Sequence, residues 1–202
     1  MDTAVALVQS YLYMNGYFTV TEYPVLELLD SGEVRTVTDA DMLAVRFPGA
    51  GRVLAGDHPT KGSRIECDPA LDIADDRIDL IIAEVKEGRA EINAAARDPE
   101  VIHAILHRFG RVDEATAEDL VEQLVSSGEA LHPAGIRVRL MSFGSRPPKH
   151  GADGYTWMSL GHIGGFMHTV ISDNWPAAQA IQSKDPALGF LLLLEKAVRG
   201  ED

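Results

Sequence analysis

One short apolar run constrains the fold more than any other part of the sequence. Six of the eight residues from Ile78 to Val85 are apolar, and Glu84 and Lys86 stand at the end of the run. A run this short and continuous is typical of a strand that is covered on both faces. Because side chains alternate along a strand, Glu84 and Lys86 should project the same way from its carboxyl end. Buried charges are costly unless they pair or bind a ligand, so these two residues predict either an ion pair or a binding site.

The segments around this run alternate between helical and extended patterns. A helix is expected over residues 3–15, followed by extended arms at 17–29 and 34–47 that are joined by a turn. Residues 48–77 are rich in Gly, Pro and Asp and predict a long loop or excursion. After the central strand, Asp98 and Pro99 predict the start of a helix that ends before Gly110. The pattern as a whole predicts an α/β protein.

Composition limits the classes of protein that remain. A chain of 202 residues with 46% apolar residues is expected to form one domain with a sizeable core. The sequence has no apolar run of the roughly 20 residues that span a bilayer and no signal-peptide pattern, so we expect a cytoplasmic protein without a membrane partner. The single Cys67 excludes an internal disulfide. The net charge of −13 means that any nucleic-acid binding needs a local basic patch.

Two further acids stand near the start of the apolar part of the second arm. Asp39 and Asp41 are two residues apart, so they share one face of that strand. They are followed by the apolar residues 42–45. Taken alone, they could simply begin a strand. Together with Glu84 they could instead supply carboxylates to one site.

The order helix, strand, strand with Asp41, strand ending in Glu84-Val85-Lys86, and helix resembles the PD-(D/E)XK nuclease superfamily, also called restriction-endonuclease-like. The resemblance covers about residues 3–109. It implies a restriction-endonuclease-like core, with a mixed sheet flanked by helices, in residues 1–110. Residues 111–202 would then be a helical C-terminal elaboration packed on the same single domain.

The resemblance also implies a function and its residues. Asp41 and Glu84 would hold Mg²⁺ or Mn²⁺ together with the carbonyl of Val85, and Lys86 would position water or stabilise phosphate charge. The implied activity is phosphodiester hydrolysis, with DNA as the expected substrate. Asp39 could be a second ligand or the true one. Some relatives use a polar residue of the first helix, which leaves Gln9 as a candidate, and Glu22 on the first strand is undecided.

Two features lie outside this motif and concern partners. Arg137, Arg139, Arg146 and Lys149, with the adjacent His150, form the one basic cluster, which could contact phosphates or simply be a solvated surface. The last helix, beginning at Asp185-Pro186, is apolar nearly all round and predicts burial against a sheet or a partner chain. A homodimer or protein partner through this helix, in a catalytically silent nuclease-like interaction module, is therefore the alternative to an enzyme.

One pair of histidines has metal-ligand spacing. His103 and His107 are four residues apart on a predicted helix, which lets two imidazoles share a metal ion. The glutamate that accompanies this pair in zinc proteases is not between them. We therefore expect partly exposed helix residues, with a metal site as the alternative.

Overall fold

The computed structural model describes residues 2–51, 66–110, 113–181 and 183–200. Residues 52–65 of the excursion predicted at 48–77 therefore lie outside the described residues. The helices are α1 (Thr3–Met14), α2 (Pro99–Phe109), α3 (Glu114–Ser127), α4 (Leu160–Asp173), α5 (Trp175–Gln179) and α6 (Pro186–Arg199). The strands are β1 (Phe18–Leu28), β2 (Val34–Arg46), β3 (Ile78–Arg89), β4 (Glu129–His132), β5 (Ile136–Arg146) and β6 (Thr156–Ser159).

The strands form one mixed sheet. Its order is β1-β2-β3-β5-β4, and β6 also pairs with β5. The first three strands are antiparallel neighbours, whereas β3 and β5 run parallel. The predicted α/β class and the mixed sheet flanked by helices are confirmed. The segment expected to be a helical elaboration also contains β4, β5 and β6, and β5 lies beside β3 in the sheet.

The central strand β3 is covered on both faces, as its continuous apolar run predicts. Ile81, Ala83 and Val85 belong to a core formed with α1 and α4. Leu80 and Ile82 belong to a second core formed with α2 and α3. Because successive side chains of a strand point to opposite faces, β3 contributes residues to both cores. The charged groups at its two ends are consequently held between packed layers.

Helix α6 differs from its expected burial. Leu188 is 3% exposed, but Phe190, Leu193, Leu194 and Val198 are between 45% and 75% exposed. The helix packs on α1 and α4 with one side only. Burial of its whole circumference against the sheet is therefore wrong, and burial by a partner stays a prediction. Within the described residues, no helix is long and apolar enough to cross a membrane.

Candidate metal centre

The site begins where β2 and β3 separate. The last pair of their ladder is Met42 with Ala83, whereas β3 continues to Arg89. Just beyond that pair, the Val85 backbone N–H donates to Asp41 Oδ2 at 2.8 Å. A carboxylate thus accepts from β3 where a strand carbonyl would otherwise do so. This insertion fixes Asp41 beside the carboxyl end of β3.

Glu84 and Lys86 project toward Asp41 from the same side of β3. Lys86 Nζ lies 2.5 Å from Glu84 Oε2 and 3.5 Å from Asp41 Oδ2. The two carboxylates therefore converge on one ammonium group. The convergence follows from the two-residue alternation of the strand together with the Asp41 insertion.

Glu84 is held in an apolar wall. It is 2% exposed, and it lies in a pocket whose other lining residues include Ile92, Val101 and Ile105. Asn93 Nδ2 donates to Glu84 Oε2 at 3.0 Å. Within the described part of the chain, Glu84 Oε1 is buried and has no hydrogen-bond partner. A buried carboxylate oxygen without a partner is costly, and a bound cation would remove that cost.

Burial and charge act on these groups in opposite directions. Burial raises the pKa of the Glu84 carboxyl, and the hydrogen bond and charge of Lys86 offset only part of that rise. For Lys86, burial lowers the pKa, but the hydrogen bond to Glu84 and the charges of Glu84 and Asp41 outweigh it, so the net shift is upward. Lys86 is therefore held as an ammonium and is suited to stabilise negative charge rather than to act as a base.

These residues fit a hard divalent cation. Mg²⁺ and Mn²⁺ prefer carboxylate and carbonyl oxygens, and Asp41 and Glu84 present such oxygens within 3.5 Å of one point, the Lys86 nitrogen. The unsatisfied Glu84 Oε1 offers a further lone pair. The Val85 carbonyl, the third ligand implied by the family resemblance, belongs to the residue whose N–H binds Asp41.

The remaining acidic and amide candidates lie at different distances from this centre. Asp39 is exposed and pairs with Pro24 across the β1–β2 ladder, and among the described residues the ion pairs of Lys86 are with Asp41 and Glu84. Gln9 donates to Thr19 Oγ1 at 3.3 Å. Thr19 pairs with Ala44, which packs in the α1 core, whereas Glu84 lines the α2 side. Gln9 is thus on the opposite face of the sheet.

Glu22 is closer to the site than its sequence position indicates. The pairs Thr21–Met42 and Tyr23–Ala40 bracket Glu22 and Asp41, which puts the two acids opposite each other on β1 and β2. Glu22 has a φ of 53°, a left-handed conformation that is uncommon for a residue other than glycine. Such conformations cluster at functional sites because they carry a cost. The kink lies next to the carboxylate that inserts between the strands.

The structure places the members of the predicted basic cluster in different environments. Arg139 is 3% exposed, with its guanidinium paired to Asp79 and bonded to the Leu71 carbonyl. Arg137 is held by Glu129 and Asp72. Arg139 is therefore enclosed by internal partners, whereas Arg137 is paired with two surface carboxylates. Arg146 and Lys149 are exposed at the carboxyl end of β5.

Two residues near the site are not predicted from the sequence. Arg89 is exposed and pairs with Arg146 in the parallel β3–β5 register, so both basic side chains belong to the edge where β3 ends. The sequence feature that could have indicated Arg89 is its position three residues after Lys86. Asn93 carries no comparable signal, because its approach to Glu84 depends on how the chain folds back between β3 and α2.

No protein-family model matches the sequence, and neither the curated proteins nor the solved structures contain a significant match. The geometry of the site therefore carries the functional argument.

Proposed function

We propose that the chain is a Mg²⁺- or Mn²⁺-dependent phosphodiester hydrolase of the PD-(D/E)XK type that acts on DNA. The observation that carries the proposal is the convergence of Asp41 and Glu84 on the Lys86 ammonium, with the other Glu84 oxygen buried and lacking a partner among the described residues. The order α1-β1-β2-β3-α2 and the mixed sheet flanked by helices agree with the core that the resemblance implies.

In this proposal Asp41, Glu84 and the Val85 carbonyl hold the ion. A bound ion of this kind lowers the pKa of a coordinated water and polarises a phosphoryl oxygen. Lys86, which keeps its charge beside the two carboxylates, positions the attacking water or stabilises the negative charge that gathers on the phosphate. The water oxygen loses a proton and bonds to phosphorus, the bond from phosphorus to the leaving oxygen breaks, and that oxygen takes up a proton.

Local charge supports a nucleic-acid substrate despite the net charge of −13. Arg89, Arg146 and Lys149 are exposed near the edge of the sheet where β3 and β5 end. Contacts from such residues to phosphates fix position without reading sequence. They would place a backbone phosphate near Lys86.

A cleavage assay on plasmid DNA with Mg²⁺ or Mn²⁺ tests the proposal. Wild-type protein should cleave, and Glu84→Gln, Asp41→Asn and Lys86→Ala should each lose about 10²–10³-fold in rate, the loss typical of removing a group that stabilises the transition state. Glu87→Gln is the matched control, because Glu87 is an exposed acid on the same strand. Equal rates in all these proteins would remove the assignment.

The exposed apolar face of α6 favours a second candidate, a catalytically silent module that binds a protein partner or a second copy. Such a module would keep the fold without needing the cation. If the wild-type protein binds neither Mn²⁺ nor Mg²⁺ and does not cleave DNA, this second candidate replaces the first. Sedimentation of wild type and of Phe190→Ser with Leu193→Ser then measures whether the face joins two copies.

A further inference from the structure

A second group of metal-ligating side chains lies between α2 and α3. His103 and His107 are on α2, and Glu114 is the first residue of α3. One ligand atom from each of these three residues lies within 4.8 Å of the others. The i, i+4 spacing of the two histidines places both rings on one side of α2, with ring centroids 4.6 Å apart. Glu114 closes the group from the neighbouring helix.

The distances within this group match a metal coordination shell. Zinc ligands at about 2.0–2.1 Å in a tetrahedral shell are about 3.3–3.4 Å from one another. His103 Nε2 lies 3.3 Å from Glu114 Oε1, and His107 Nε2 lies 3.8 Å from Glu114 Oε2. All three ligand atoms lie within 4.8 Å of one another, so side-chain rotation could bring them onto one ion.

Hydrogen bonding alone does not account for the arrangement. His103 Nε2 is buried and has no hydrogen bond within the described residues, although Glu114 Oε1 is close to it. The two atoms are near each other without the alignment that a hydrogen bond needs. An ion pair with Glu114 would require a protonated ring, whereas a metal ion binds the neutral imidazole.

The surroundings favour a cation. Glu100 and Glu118 line the same surface depression as His103 and Glu114. Both of these additional acids are exposed and could provide an outer carboxylate or a further ligand. The depression therefore combines imidazole nitrogen with an excess of negative charge.

We propose that His103, His107 and Glu114 form a binding site for Zn²⁺ or a similar transition-metal ion, separate from the centre at the end of β3. Imidazole ligands select such ions over Mg²⁺, which prefers oxygen. Three protein ligands leave one coordination position for water or for Glu118. The ion joins α2 to the first turn of α3. Because Val101 and Ile105 of α2 line the Glu84 pocket, the ion also steadies one wall of that pocket.

The test is a titration of the full chain with Co²⁺ and Zn²⁺ in excess Mg²⁺, followed by calorimetry and by the visible absorption of bound Co²⁺. Wild-type protein should bind one Co²⁺ or Zn²⁺ at this site. His103→Ala and His107→Ala should each weaken binding by at least the roughly 10–100-fold that is lost when an outer-shell partner of a metal is removed. Glu114→Gln should weaken it in the same direction.

His168→Ala is the matched control, because His168 is an exposed histidine that faces a single carboxylate, Glu195. It should bind zinc as the wild type does. Zinc should also raise the melting temperature of wild-type protein, and this rise should be absent in His107→Ala, whose side chain is nearly half exposed and whose loss should leave the fold intact. Absence of wild-type binding, or equal binding by His107→Ala, would overturn the proposal whatever the cleavage assay shows.

Discussion

Each end of β3 carries a buried acid, but the two acids differ in how completely their oxygens are hydrogen-bonded. At the amino end, Asp79 is fully buried and satisfied within the fold, since both of its oxygens accept hydrogen bonds. At the carboxyl end, Glu84 is nearly as buried, yet Oε1 has no partner in the described part of the chain. A buried acid whose oxygens are all hydrogen-bonded is typical of a structural role, whereas an unsatisfied one next to other charges is a candidate for a functional site.

The Asp79 network is closed. Tyr17 donates to Asp79 Oδ2 at 2.6 Å, and Arg139 donates to both Asp79 oxygens. Arg139 also donates to the Leu71 carbonyl at 2.7 Å. Burial, with the nearby Asp79 charge, raises the pKa of Tyr17, so the phenol stays a neutral donor. This end of the strand ties β1, β3 and β5 together.

The largest expected effect on stability comes from removing Asp79 at the amino end of β3. Asp79→Ala leaves the buried Arg139 guanidinium without its carboxylate and should lower the free energy of unfolding by about 3–5 kcal/mol. Urea denaturation followed by circular dichroism measures the change. A loss below about 1 kcal/mol would show that the network contributes little and would weaken the contrast between the two ends.

Replacing Glu84, at the carboxyl end of β3, should not lower the free energy of unfolding as Asp79→Ala does. Burial raises the folded-state pKa of Glu84 above its ordinary value of 4.5, so its contribution to stability is fully present below that value and is lost as pH rises through the folded pKa. Glu84→Gln has no ionisable group at this position, so it should not lose stability in this pH range. At pH 8 without metal, the variant should be at least as stable as wild type, and the difference should shrink as pH falls toward 4.5.

Urea denaturation of both proteins at several pH values measures this difference. Mn²⁺ should stabilise wild type and leave Glu84→Gln nearly unchanged if, as proposed, the ion binds the charged carboxylate. A variant that is more than about 1 kcal/mol less stable than wild type at pH 8 would mean that the Glu84 charge is satisfied as fully as that of Asp79.

A smaller effect should distinguish the arginines at the two ends of β5. Arg146→Ala removes an exposed cation, so DNA binding should weaken for all sequences and the salt slope should fall by about 1. Arg137→Ala should leave the slope unchanged, because Glu129 and Asp72 already hold that guanidinium. Fluorescence anisotropy across a salt series measures both, and equal slopes for the two variants would contradict the assignment.

The sequence predicts β3 and the placement of Glu84 and Lys86 well because these features depend only on residues that are close together in the chain. A continuous apolar run specifies burial on both faces, and two charges two residues apart must share one side. The order of helices and strands follows from caps, turns and periodicity in the same way. Local pattern therefore places Glu84 and Lys86 together without further information.

What the sequence does not predict depends on distant parts of the chain meeting. Asp41 is a candidate from the sequence, but the backbone N–H of β3 that holds it is not predicted, and neither is Asn93, which reaches Glu84 by folding back from the following loop. Arg139 belongs to a basic cluster in the sequence but lies beneath the surface because β5 pairs beside β3, which places it against Asp79. An alternating strand pattern cannot show which neighbour a strand will have.

Calorimetric titration with Mn²⁺ tests directly whether the carboxyl end of β3 binds a divalent cation. The titration should use protein that carries His103→Ala and His107→Ala, so that the second proposed site does not contribute. In that background the chain should bind Mn²⁺ at the β3 site, and adding Asp41→Asn or Glu84→Gln should abolish the heat of binding. Equal Mn²⁺ binding with and without those two carboxylates, or no binding at all, would contradict the account.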